Sequence, residues 1–311
     1  MSFDNLDALF LSHEVSAKPI NSNEFRVFFF GDSSVWGFLL PKEETVTSVI
    51  NSQNLTTTDG RRVRAFNLGY PTISLTKDLL LLEKSLDYEP DLIVWFVTLE
   101  AFPNEKQIFT PLVQENPSYV RELIKAFQLS LDPQSDGFTS NSWIDRTIFG
   151  QRRELADLLR LQLYGVPWAA TGVDQDIPET YSPLQVNYEE DDTYYDFFPP
   201  TLEPNGLSWD VLSAGIQIAG DVPVLIVNEP IYISTGENSD LRYNFFYPRW
   251  AYDDYRANLQ AFTDENGWNY LDLWDTIAPG DFTNTAIHVN EHGSDAIADL
   301  VAPIILAIAD R

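Results

Sequence analysis

The stretch FRVFFFGDSSVWG, residues 25–37, decides the fold that the sequence predicts. Its apolar run, residues 27–30, has the composition of a strand that is buried on both faces of a sheet. The run ends at Gly31-Asp32-Ser33, and a helical segment follows. Because open α/β sheets hold their ligands at the carboxyl ends of their strands, we expect the Ser33 hydroxyl to face a binding site. A tight turn with an Asx-type hydrogen bond is the alternative explanation of the Gly-Asp-Ser tripeptide.

The segments that follow this stretch alternate between helix and strand patterns. Further apolar runs typical of strands occur at residues 63–70, 91–97, 222–228 and 268–274. Helical patterns occur between and after them, at residues 75–88, 253–266 and 291–309. This alternation is typical of a parallel sheet with helices on both faces. We therefore predict an α/β fold of three layers, α/β/α and flavodoxin-like, with a five-stranded parallel sheet.

The strand pattern is interrupted once, between residues 101 and 220. Apolar periodicity in this part predicts amphipathic helices at 119–131 and 143–164, and the acidic, Tyr- and Pro-rich segment 174–204 is typical of a surface loop. We accordingly divide the chain into an N-terminal arm (1–24), an α/β core (25–100 and 221–311) and a largely helical insertion (101–220) between strands 3 and 4. An insertion at this point is expected to form a cap or a partner surface beside the site.

The composition restricts the partners and the chemistry that we expect. The chain has 19 basic and 47 acidic residues, so its formal net charge of −28 disfavours binding to nucleic acid. It has no cysteine, which excludes thiolate nucleophiles and thiolate metal sites. The chain has three histidines, His13, His288 and His292. His288 and His292 lack a well-spaced carboxylate, so we expect no metal site, and we expect no cofactor. No apolar run approaches the ~20 residues of a transmembrane segment, and no signal-peptide pattern is visible at the start.

Three of these features, in their order along the chain, resemble the SGNH, or GDSL-type, hydrolase superfamily of esterases, lipases and carbohydrate O-acyl-modifying enzymes. The resemblance covers residues 25–100 and 222–310. In that family the nucleophile lies in a Gly-Asp-Ser turn after the first strand, which corresponds to Ser33. A glycine after the second strand donates its backbone N–H to the oxyanion, together with that of the nucleophile, and Gly69 in NLGYP matches it. The family's base is a histidine just before the last helix, and His288 in IHVNEHG matches it.

Two positions differ from the family pattern. The family has an oxyanion-donating Asn after the third strand, where this chain has Glu100 in VTLEAF. A buried Glu100 could donate as a neutral carboxyl group, and the alternative is a glutamate bonded to a nearby lysine or backbone group. The acid that orients the histidine would fall at Thr285 or, in a related Phe-Thr-Asp arrangement, at Asn284, and neither is a carboxylate. Asp281 is the nearest upstream acid and would require the loop to fold back.

The resemblance implies a serine-dependent carboxyl-ester hydrolase or O-acyltransferase that acts on small acyl esters. A carbohydrate-linked acetyl group is the substrate that it favours, and it also favours an extracytoplasmic or cell-envelope location. The insertion could bind a protein partner. The alternative is a catalytically weak or inactive SGNH-like module that binds carbohydrate or protein. Loss of one oxyanion donor costs about 10² to 10³ in rate, and an amide in place of the triad acid costs about 10⁴ in a serine protease.

Overall fold

The computed structural model of the chain describes residues 4–17, 20–139, 177–178, 180–182 and 184–311. The helix predicted at 143–164 lies outside these residues, as does part of the predicted loop at 174–204.

A five-stranded parallel sheet forms the centre of the molecule, which confirms the predicted fold. Its strands are β1 (Glu24–Phe30), β2 (Arg62–Asn67), β3 (Leu92–Val97), β4 (Val224–Asn228) and β5 (Asn269–Asp272). The order across the sheet is β2-β1-β3-β4-β5, and every neighbouring pair is parallel. This is the flavodoxin-like order, in which the chain changes direction across the sheet between β1 and β3.

The α-helices of the described residues lie before, between and after the strands. They are α1 (Leu6–Ser12), α2 (Glu14–Ala17), α3 (Ser33–Trp36), α4 (Val46–Ser52), α5 (Leu75–Ser85), α6 (Pro111–Glu115), α7 (Pro117–Phe127), α8 (Trp209–Ala219), α9 (Arg249–Asn266) and α10 (Glu291–Ala309). Short 3-10 segments occur at Lys42–Glu44, Leu86–Tyr88, Leu99–Ala101, Asn104–Lys106, Pro204–Gly206 and Pro279–Asp281.

The sequence of β1 explains why this strand is central. Its side chains alternate between two separate hydrophobic clusters, one on each face of the sheet. Phe28 and Phe30 pack into the first cluster, and Val27 and Phe29 pack into the second. A strand that is apolar on both faces is stable only between two layers of helices.

The two helical layers supply the partners of those faces. Leu79 of α5, Val211 of α8 and Tyr255 of α9 belong to the first cluster, whereas Ile50 of α4 and Val301 of α10 belong to the second. Helix α8 falls within the stretch 101–220 that we predicted to be an insertion, and it packs against α5 in the first layer. The division into arm, core and insertion stays a prediction.

Helix α10 is the one helix of the described part of the chain that is long and apolar enough to cross a membrane by length and composition. Its Ile297, Val301 and Ile305 side chains are buried in the second cluster. These contacts are those of a core helix that covers one face of the sheet.

Candidate active site

The carboxyl ends of the strands bring the predicted site residues to one edge of the sheet. Ser33 follows β1, Gly69 follows β2 and Glu100 follows β3. His288 lies in the loop that leads into α10. Parallel open sheets bind their ligands at this edge and at the point where the strand order reverses, which here lies between β1 and β3.

The turn after β1 holds Ser33 as the first residue of α3. Asp32 caps this short helix, because its side chain accepts the backbone N–H of Ser34 at 2.7 Å. Gly31 is required by close packing, since a Cβ atom there would lie 2.5 Å from Cγ2 of Val35. Among the described residues, no acceptor is bonded to the backbone N–H of Ser33. This N–H is therefore available to a ligand.

Ser33 and His288 are 255 residues apart in sequence and in direct contact in the fold. The Ser33 Oγ lies 2.7 Å from Nε2 of His288, and Nδ1 of the same ring lies 3.2 Å from Oδ1 of Asn284. An amide oxygen only accepts hydrogen bonds, so Nδ1 carries the proton and Nε2 is free to accept the serine hydroxyl. The Phe38 ring, 4.8 Å away between centroids, packs against the imidazole.

Burial lowers the pKa of His288 below its ordinary value, and the nearby Asp32 carboxylate acts in the opposite direction. Burial has this effect because an imidazolium ion loses hydration when it is removed from water. A neutral ring is the form that can take a proton from a hydroxyl.

The other two residues considered for the orienting position make different bonds. The Thr285 hydroxyl accepts the backbone N–H of His288 at 3.3 Å, so it contacts the main chain and not the ring. Asp281 accepts the backbone N–H of Asn290 through its carbonyl oxygen. Within the described residues, no hydrogen bond joins the Asp281 carboxyl to His288. Only Asn284 of the three is bonded to the imidazole.

Gly69 lies against helix α3, but its backbone N–H already has an acceptor. A Cβ at this position would lie 2.5 Å from the backbone nitrogen of Trp36, so only glycine permits the approach. The N–H donates to Oδ1 of Asn67 at 3.0 Å, and Nδ2 of Asn67 donates to the carbonyl of Val35 at 2.7 Å. Asn67 thus joins the two loops and holds the donor that the resemblance assigns to the oxyanion.

Glu100 is almost fully buried and accepts hydrogen bonds on both carboxyl oxygens. Oε1 is paired with the Lys106 ammonium group and accepts the Tyr195 hydroxyl, and Oε2 accepts the Tyr194 hydroxyl at 3.2 Å. A carboxyl group with a lysine and two phenolic donors is held as an acceptor. These contacts correspond to the alternative that we gave for Glu100, a glutamate bonded to a nearby lysine, and not to an oxyanion donor.

Two buried charged features near the site were missed by sequence reasoning. Glu229 immediately follows β4, and the pair Lys77 and Asp78 lies in the first turns of the leucine-rich helix α5. Lys77 is fully buried and donates to the carbonyl of Gly31 at 2.7 Å. The available signals were an acid directly after a buried strand and two adjacent charges immediately before the leucine run of residues 79–82 in a helix.

A cavity of about 280 Å³ lies beside Asn284. Asn284 and Thr285 form part of its wall, and aromatic residues form much of the remainder: Tyr188, Tyr232, Phe245 and Phe246. None of the described residues that line it is charged, although 21% of the chain is Asp, Glu, Lys or Arg. Asn284 therefore bonds to the imidazole and also forms part of the wall of this cavity.

The histidines show no arrangement for a metal ion in the part of the chain that the structure describes. No group of three or more His, Asp or Glu side chains is placed to hold one. His292 is 71% exposed in its side chain and lies 4.0 Å from the Glu291 carboxylate.

Comparison with known proteins finds likeness in structure only. No family model matches the chain, and no curated protein is similar to it in sequence. Similar solved structures include those of GDSL-type lipolytic proteins, carbohydrate acetylesterases and an arylesterase. A member of the lipolytic G-D-S-L family from Veillonella parvula is 12% identical, with a TM-score of 0.43, 90% of this chain covered and 97% of that chain.

Two further structures carry esterase names. Est24, a carbohydrate acetylesterase from Sinorhizobium meliloti, is 11% identical, with a TM-score of 0.43, 92% of this chain covered and all of that chain, 100%. The aryl esterase of M. smegmatis is 11% identical, with a TM-score of 0.40, 91% of this chain covered and 98% of that chain.

Proposed function

We propose that the protein is a serine-dependent carboxyl-ester hydrolase or O-acyltransferase of the SGNH type. The observation that carries this proposal is the bond of 2.7 Å between Ser33 Oγ and His288 Nε2, with Nδ1 oriented by Asn284. A hydroxyl in contact with an imidazole, whose other nitrogen is fixed by a third group, is the arrangement of an activated serine nucleophile.

In this proposal His288 acts as base and then as acid. Nε2 takes the proton of Ser33 as Oγ attacks the ester carbonyl carbon, which produces a tetrahedral oxyanion. The ring then gives the proton to the departing alcohol oxygen as the C–O bond breaks, which leaves an acyl group on Ser33. Water completes hydrolysis by attacking the acyl carbon, and an acceptor hydroxyl in its place completes acyl transfer.

The arrangement of donors supports a slow enzyme. The backbone N–H of Ser33 is unbonded among the described residues, whereas that of Gly69 donates to Asn67 and Glu100 accepts from its neighbours. The charge that stabilises imidazolium in a serine protease is replaced by the neutral amide of Asn284. Deletion of one oxyanion donor alone costs about 10² to 10³ in rate.

The cavity beside Asn284 supports an acylated carbohydrate as the substrate. Neutral sugars are bound by aromatic faces and uncharged hydrogen-bonding groups, and the described walls of this cavity provide both and no charge. An uncharged wall is notable in a chain of net charge −28. We therefore propose a small acyl group, such as acetyl, on a neutral saccharide.

Labelling with a fluorophosphonate tests the nucleophile without knowledge of the substrate. We expect covalent labelling of the wild-type protein, with the label on Ser33 by peptide mass spectrometry. Ser33→Ala should abolish both labelling and the hydrolysis of p-nitrophenyl acetate, and should leave the melting temperature nearly unchanged. Ser85→Ala is the matched control, because Ser85 is buried in α5 and its hydroxyl donates to the Leu82 carbonyl of the same helix.

Two results would contradict this assignment. A label on Ser34 would show that the nucleophile is the next residue. An unlabelled wild-type protein, with no ester hydrolysis, would leave the binding module as the function.

Comparison of two esters tests the substrate class. Phe245 lines the cavity and is 66% exposed, so Phe245→Ala removes a ring that could stack on a sugar. We expect about a tenfold lower kcat/KM for acetylated xylo-oligosaccharides, the size of one aromatic contact of about 1.4 kcal/mol. The rate with p-nitrophenyl acetate should not change. Phe109→Ala, at another exposed ring outside the cavity, is the control, and equal effects of both variants would argue against the saccharide.

A further inference from the structure

A buried carboxyl group that the proposed reaction does not use lies next to the nucleophile turn. Glu229 directly follows β4 and is 2% exposed. The Ser34 hydroxyl donates to its Oε2 at 2.5 Å. Its Oε1 is buried and has no hydrogen-bond partner among the described residues. An unpartnered buried carboxyl oxygen beside a reactive serine requires an explanation.

The charges around Glu229 do not balance if every acid is ionised. Three buried carboxyl groups, those of Asp32, Asp78 and Glu229, share this region with one buried cation, Lys77. The Lys77 ammonium lies 2.5 Å from Oδ1 of Asp78, and Asp32 accepts the backbone N–H of Ser34. Glu229 is the acid that contacts neither a cation nor a backbone N–H in the described structure.

The remaining neighbours of Glu229 provide little compensation for a negative charge. The side chains around Ser34 and Glu229 are apolar, among them Phe96, Ile287, Val289 and Ile297. The other titratable groups that influence this region are His288 in the loop before α10 and three buried tyrosines of segment 247–255: Tyr247, Tyr252 and Tyr255. Burial, and next the charge of Asp32, raises the pKa of Glu229 well above its ordinary value.

We propose that Glu229 is a positioning residue that holds the nucleophile turn in its reactive geometry as a neutral carboxyl group. It acts through Ser34, whose hydroxyl it binds and whose backbone N–H is held by Asp32. The hydroxyl and the backbone N–H of Ser34 are thus both held in place. This keeps the adjacent Ser33 in the position in which its hydroxyl contacts His288 and its backbone N–H is free to bind a ligand. The inference rests on the proposed function of Ser33 as nucleophile.

Ionisation of Glu229 should displace this turn. A second negative charge would form beside Asp32, with one oxygen in apolar surroundings, and water or a shift of the turn would have to solvate it. A misplacement of about 1 Å costs about 10² in rate. Activity should therefore fall at alkaline pH although His288 is fully in its reactive, neutral form.

The pH dependence of two Ser33 reactions tests this role. For the wild-type protein we expect both kcat for p-nitrophenyl acetate, corrected for spontaneous hydrolysis, and the rate of fluorophosphonate labelling to fall by about 10² on the alkaline side. Glu229→Gln keeps an oxygen for Ser34 but cannot ionise. It should retain most of the rate at pH 7 and lack the alkaline fall, whereas KM should change little. Melting temperatures verify that the variant is folded.

Glu83→Gln is the matched control, because Glu83 is a half-buried glutamate of α5 whose pKa is also raised by burial. This variant should show the same alkaline fall as the wild-type protein. An alkaline fall that persists in Glu229→Gln overturns the proposal and leaves the proposed function intact, as does a wild-type profile without any alkaline fall.

The protonation state of Glu229 can also be measured directly by NMR, without any enzymatic activity. This measurement tests the proposal even if the fluorophosphonate does not label the protein. In protein with carbon-13 in the glutamate carboxyl groups, the Glu229 resonance is identified by its absence from Glu229→Gln. We expect it to titrate above the range of the other glutamates. Titration in their ordinary range would show an ionised Glu229 at neutral pH and would overturn the proposal even where the proposed function had failed for its own reasons.

Discussion

At the scale of single residues, the amide of Asn284 is the most consequential group of the candidate site. It accepts from Nδ1 of His288 at 3.2 Å and also from the Thr283 hydroxyl at 3.2 Å. These bonds fix the ring and its tautomer, as the acid of a triad does. They provide no negative charge, so the imidazolium of the proposed proton transfer would be stabilised less than by a carboxylate.

Asn284→Asp should increase the rate of ester hydrolysis. A carboxylate next to Nδ1 favours the protonated ring, so it stabilises the imidazolium and raises the pKa of His288. Burial lowers the pKa of His288, so the activity of the wild-type protein should extend below pH 6.5. In Asn284→Asp, the loss of activity at acidic pH should begin at a higher pH than in the wild-type protein. Measurement of kcat against pH for p-nitrophenyl acetate tests both statements.

Substitutions of Thr285 and Asp281, the other two candidates for the residue that orients the His288 ring, serve as comparisons. Thr285→Asp should not raise the rate, because the Thr285 side chain faces the backbone N–H of His288. Asp281→Asn should leave the rate unchanged, because the bond of Asp281 to Asn290 is made by its main-chain carbonyl and not by its carboxyl group. A rise with Thr285→Asp, or a loss of activity with Asp281→Asn, would transfer the orienting role away from Asn284.

At the scale of elements, the N-terminal helices α1 and α2 are attached to the loop that carries Gly69. His13, between the two helices, has Nε2 2.7 Å from the carbonyl oxygen of Asn67, and its Nδ1 accepts the backbone N–H of Val15 at 3.1 Å. Leu6 and Phe10 are buried in the first hydrophobic cluster. The arm therefore packs on the body, and its histidine is bonded at both nitrogens in the neutral form.

Protonation of His13 should weaken this attachment. Burial lowers the pKa of His13 below 6.5, so below that pH the unfolded state binds more protons than the folded state. Stability that is present above pH 6.5 is lost as the pH falls toward the folded pKa. His13→Gln, which can donate to Asn67 but does not titrate, should lose less melting temperature than the wild-type protein between pH 7 and pH 5. His292→Gln, at an exposed histidine, is the control, and equal slopes for wild type and His13→Gln would contradict the assignment.

At the scale of the whole molecule, the excess of acidic residues opposes compactness. A formal charge of −28 on a chain of 311 residues produces repulsion that is larger in the folded state than in the expanded chain. The screening length falls from about 30 Å at 0.01 M salt to about 8 Å at 0.15 M. Local ion pairs such as Arg61 with Asp91, 2.6 Å apart, act in the opposite direction.

The melting temperature should therefore rise as salt is added from about 0.01 M to about 0.15 M, the range over which the repulsion becomes screened. Sodium chloride and choline chloride should give the same rise, because screening depends on ionic strength and not on the identity of the cation. A melting temperature that falls with both salts would show that the ion pairs outweigh the net repulsion. A rise with sodium alone would indicate a bound cation.

Much of the fold could be predicted because its signals are local. The apolar run of β1, the turn at Gly31 and the helix at Glu291–Ala309 follow from neighbouring residues, and the structure has them where the sequence predicted them. The end of α9 at Gly267 is another such signal, since glycine adopts the left-handed conformation that closes the helix. Helix α8 was not predicted, because the stretch around it lacks the strand and helix alternation on which the prediction depended.

What the sequence by itself determined is the class of fold and the positions of two candidate site residues, Ser33 and His288, which the structure brings into contact. Ser33 lies in the turn after a buried strand and His288 lies in the loop before a helix, and such positions are fixed by local pattern. Only the tertiary structure decided which of three residues contacts the ring, that Glu100 is bonded to Lys106, and that Glu229 binds Ser34. The physical reason is that hydrogen bonds depend on tenths of an ångström between atoms of distant segments, and local periodicity carries no information on those distances.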